Sequence, residues 1–108
     1  MDQSRKLERR SQELQTVFEE LLGSRNVYYN PPESIEMHYD AIVFSRSRIN
    51  NTFASDSVYV QLPPTFTVTT ITRDPDAPII EKVSKMRGCI FVTSYVADNL
   101  YHNRFTLH

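Results

Sequence analysis

The sequence predicts an α+β domain: an N-terminal amphipathic helix and one short helix packed on a mostly antiparallel β-sheet, with a long hairpin or loop between strands. Three observations lead there. Leu7, Leu14, Val17, Phe18, Leu21 and Leu22 fall on one stripe about 140° wide at the helical angle of roughly 100° per residue. The chain holds 9 Val, 7 Ile and 9 Thr against 2 Gly, a composition that strands favour and an all-helical protein does not. Late in the chain, Ile79, Ile80, Val83 and Met86 return to helical spacing after Pro78, a residue suited to the first helical position.

The first helix is expected over Ser4–Leu22, a stretch without Gly or Pro, with Ser4 as N-cap and Gly23 just past its end. Its single stripe lays it on a sheet. Arg5, Lys6, Arg9 and Arg10 crowd its N-terminal half and Glu19 and Glu20 its last turn, both against the helix dipole. They are either a solvated face or, for Arg5 and Arg9, a contact to an acidic partner. Val27-Tyr28-Tyr29 is a short strand stopped by Asn30-Pro31-Pro32. Ile35, Met37 and Tyr39 alternate with Glu36 and His38, and the apolar run Ala41-Ile42-Val43-Phe44 reads as a strand buried on both faces, extended by Ser45 to Ile49.

The next stretch is polar, with Asn50-Asn51 and Asp56-Ser57 as turn chemistry around a solitary Phe53; Val58-Tyr59-Val60-Gln61-Leu62 follows as a β-prone arm. The segment Asn50 to Leu62 is long for a hairpin connection. Phe53, Val58, Tyr59 and Val60 are therefore expected at a subunit or partner contact, by addition to a neighbour's sheet; an ordinary hairpin within one subunit is the alternative. Thr65–Thr72 is a clean strand, Arg73–Pro78 a loop, and the short helix runs toward Gly88. Cys89–Thr93 and Tyr101–Leu107 are the last strands, joined through a turn at Ala97-Asp98-Asn99.

The 108 residues suit a single domain, 1–108, without repeat or linker. Apolar residues make up 40 % of the chain, slightly below the usual range, so neighbouring subunits can supplement the core. A formal net charge of −1 argues against a general nucleic-acid clamp. No apolar stretch is long enough for a membrane span, and the basic start lacks the apolar run of a secretory signal. Cys89 is the only cysteine, which excludes an internal disulfide, fits a reducing compartment and leaves no cysteine-based zinc site.

Catalytic patterns are weak. His38, His102 and His108 show no metal-ligand spacing, and two distant glycines cannot build a phosphate loop. Cys89, in an apolar strand, reads as an inert small hydrophobe. Asp74-Pro75-Asp76 is the one carboxylate cluster. Its expected work is turn and cap, with Asp76 accepting from free helix N–H groups; a subunit contact through Asp74 and Asp76 and a divalent-cation site are the alternatives. The tyrosines lack interleaved basic residues on their strands, so packing explains them better than base stacking. The sequence is expected to need no cofactor and no metal and to catalyse nothing. A small metal-dependent hydrolase on Asp74, Asp76 and His102 stands as the enzyme alternative.

Three blocks point further: Asn26-Val27-Tyr28-Tyr29-Asn30-Pro31-Pro32-Glu33 with Ile35 to Phe44, then Thr72-Arg73-Asp74-Pro75-Asp76-Ala77-Pro78, then Val96 to Leu107. In content and order they resemble the tail terminator, or head-to-tail joining (tail completion), proteins of long-tailed bacteriophages. The family often has Pro-Cys at Asp40-Ala41 and Asn-His at Tyr101-His102; neither departure touches a catalytic role, since the family has none. The resemblance implies a structural virion protein of tail and neck, assembled in the host cytoplasm. It implies a ring of identical subunits, usually six, on the head-proximal end of the tail tube, which ends tube polymerisation. Its partners would be itself, the tail tube protein and a neck or head completion protein. Genomic DNA would pass through the lumen without sequence-specific binding, and no membrane is involved. A neck adaptor or stopper of the same virion is the runner-up.

Overall fold

The computed structural model describes residues 2–46, 53–55, 58–60 and 65–108, with side chains for 10–46 and 65–108. Helix α1 (Asp2–Leu22) is followed by β1 (Val27–Tyr29), β2 (Ala41–Arg46), β3 (Phe53–Ser55), β4 (Val58–Val60) and β5 (Phe66–Thr72). Helix α2 (Pro78–Ser84) and strands β6 (Cys89–Ala97) and β7 (Leu100–Leu107) complete the chain. The five-stranded sheet has the order β1-β2-β5-β7-β6; β3 and β4 pair separately with each other. β1 runs parallel to β2 and every other pairing is antiparallel. The α+β class and the mostly antiparallel sheet are therefore as the composition and periodicity predict.

Both helices cover one sheet face. Leu14 and Phe18 of α1 and Ile79 and Val83 of α2 join Val27, Ile42, Phe44, Phe66, Val68, Phe105 and Leu107 in one buried cluster. Alternation explains the membership: Phe44, Val68 and Phe105 lie side by side across three strands, so their side chains share a face. Phe18 meets Phe44 edge-on at 5.1 Å between ring centres, and Tyr29 lies 4.8 Å from the same ring. Gly23 closes α1 at φ +77° and its N–H donates to the Glu19 carbonyl at 2.8 Å, the left-handed stop expected of a glycine there.

Several local expectations are corrected. α1 begins at Asp2, so Ser4 lies inside it and is not its N-cap. Val17 sits at the margin of the apolar stripe and is exposed. The alternation of Ile35, Met37 and Tyr39 forms no strand. These residues lie in the connection that carries the chain from β1 around to the parallel β2, and a parallel pairing cannot be closed by a tight turn. β2 is not buried on both faces throughout, since Val43 is half-buried. α2 stops at Ser84, short of Gly88.

Candidate assembly surface

β6 forms an edge of the large sheet, yet its sequence is that of an interior strand. Its nine residues, Cys-Ile-Phe-Val-Thr-Ser-Tyr-Val-Ala, contain no charge and no proline. Ile90, Phe91, Val92, Tyr95 and Val96 are 57, 55, 50, 42 and 62 % exposed. The helix layer ends at the start of this strand. Cys89 packs against the core cluster, and burial holds its thiol pKa above the ordinary value. Beyond it, Phe91 only leans edge-on against Phe105 at 5.7 Å, and Tyr95 stacks on His102 at 4.7 Å across the other face. One side of each ring touches β7 and the other meets solvent.

Natural edge strands are blunted by lysine, proline, brevity or a bulge. β6 has only the last, between Phe91 and Thr93. The opposite edge, β1, is three residues long and followed by two prolines. Among the described residues no strand pairs with the outer side of β6, and apolar side chains stand exposed above and below it.

β6 and β7 are joined by Asp98 and Asn99, at φ +53° and +62°, the paired left-handed conformations of a two-residue hairpin turn. The Gly88 carbonyl accepts from the His108 N–H at 3.0 Å at the far end of the ladder. Gly88 itself is at φ +81°, and a Cβ there would lie 2.7 Å from the His108 carbonyl oxygen. Glycine is required at this point both for its conformation and for the close approach of the two chain segments.

The carboxylate cluster is a turn, but not in the way the sequence suggests. The N-cap of α2 is Ala77, with no side-chain hydrogen bond, and Pro78 opens the helix. Asp76 caps nothing. Asp74 holds the loop: its Oδ1 accepts from the Asp76 N–H at 2.8 Å, and its carbonyl accepts from the Thr72 Oγ1 at 2.8 Å and the Ala77 N–H at 3.3 Å. Pro78 removes one free helix donor by lacking an N–H, which lowers the need for a cap. Asp74 and Asp76 are both exposed. Among the described residues no three His, Cys, Asp or Glu side chains gather as metal ligands.

Elsewhere a shallow cavity is lined by Ser11, Gln12, Gln15, Thr16 and Tyr29. Burial alone would raise the Tyr29 hydroxyl pKa; hydrogen bonds with Ser11 and Arg46, and the Arg46 charge, bring it below the ordinary value. Gln15 bridges the Glu19 carboxylate and the Val27 carbonyl at 3.0 and 2.9 Å, fixing α1 to β1. Arg5 and Arg9 belong to α1, and Phe53, Val58, Tyr59 and Val60 to the β3–β4 pair; the side chains of all six lie outside the described residues.

No family model, no curated protein and no solved structure matches the chain. The sequence reading did not single out the β6 residues. The signal was present as an uncharged apolar run; that run reads as a buried strand, and only the strand order shows it at an edge.

Proposed function

We propose that this chain is a structural virion subunit of the tail-terminator kind: a ring on the head-proximal end of a phage tail tube that stops tube growth and joins tail to neck. The observation that carries the proposal is β6, an interior-type strand at a sheet edge. Such a strand finds its missing neighbour in another molecule. A contact between β6 and a different surface of the next subunit is heterologous, and heterologous contacts close into rings when the rotation permits. The three sequence blocks that resemble tail terminators supply the particular ring. Near-neutral charge suits a lumen through which DNA slides, because affinity for the phosphate backbone scales with the cations presented.

In this reading the helix-covered core serves only to hold the β6–β7 ladder in place. No residue acts as a catalyst; the work is done by geometry and by the burial of apolar surface on assembly. Depleting the chain from a phage that encodes it should give over-long tails and unattached heads, with both restored when the purified protein is added back. Tails of normal length joined to heads without it would defeat the proposal.

A further inference from the structure

No further inference is drawn: the strongest candidate, the outer edge of β6 with its exposed Ile90, Phe91, Val92 and Val96, belongs to the surface already described, and nothing in the structure shows what covers it.

Discussion

Replacing Asp74 by Ala separates the observed turn from the expected cap. The side chain contributes one bond, Oδ1 to the Asp76 N–H at 2.8 Å; the carbonyl bonds to Thr72 and Ala77 survive the substitution. One exposed hydrogen bond with a charged acceptor has a net value of about 1 kcal/mol. The loop it orders delivers α2, whose Ile79 and Val83 are buried in the core, so loosening is felt beyond the loop. In a domain of this size about 1 kcal/mol corresponds to roughly 4–8 °C in Tm. Asp74→Ala should therefore lower Tm by that amount, Asp74→Asn by less because its amide oxygen can still accept, and Asp76→Ala should stay within about 0.5 kcal/mol of the parent. Urea titrations of the three variants, with and without Mg²⁺, are the assay. A larger loss for Asp76→Ala than for Asp74→Ala would show that Asp76 caps α2 after all, and a Mg²⁺-dependent rise in midpoint abolished by either substitution would show a cation site in place of a turn.

Other expectations follow from the same packing. Phe44→Ala removes the ring at the centre of the Phe18, Tyr29 and Phe66 cluster and should cost about 3–5 kcal/mol by denaturant unfolding. Gly88→Ala should destabilise more than Gly23→Ala. Both glycines have positive φ, but only at Gly88 does a Cβ meet backbone, at 2.7 Å, with nothing within 4 Å at Gly23; thermal melts of the pair decide it. Burial raises the Cys89 thiol pKa. Its thiolate should therefore form at higher pH than that of a free thiol, and stability should fall as pH climbs from the unfolded thiol's pKa toward the folded one, because the unfolded chain ionises first. Iodoacetamide labelling against pH should show the delayed rise, and a midpoint at or below that of a free thiol would contradict it. A chain lacking Thr52 to Ser57, and a Tyr59→Ala, Val60→Asp variant, should both melt cooperatively with native circular dichroism, since β3 and β4 pair with no strand of the large sheet; unfolding would place the segment in the core.

Elements with strong local signals were legible. The apolar stripe and Gly23 delimit α1, Thr65–Thr72 reads as β5, and Pro78 opens α2 where the spacing of Ile79 and Val83 demands it. What failed depended on neighbours. Ile35, Met37 and Tyr39 alternate like a strand, but the parallel β1–β2 pairing uses this stretch as its connection. Asp76 has the position of a cap, yet the Asx turn at Asp74 satisfies the loop first. Cys89–Thr93 reads as a strand and is the first part of β6, which runs on to Ala97; its place at the edge of the sheet depends on strand order, which no local pattern carries. The candidate surface therefore emerges from strand order, not from any motif.

By the proposed function, this domain closes into a ring at the end of a tail tube. Symmetry-resolved imaging of the head–tail junction of assembled particles, with this subunit fitted to density, tests it directly. One closed ring of identical subunits should sit on the tube, with β6 of each buried against its neighbour. Single copies scattered along the side of the tail, or a ring in which Ile90 and Val96 remain open to solvent, would contradict it.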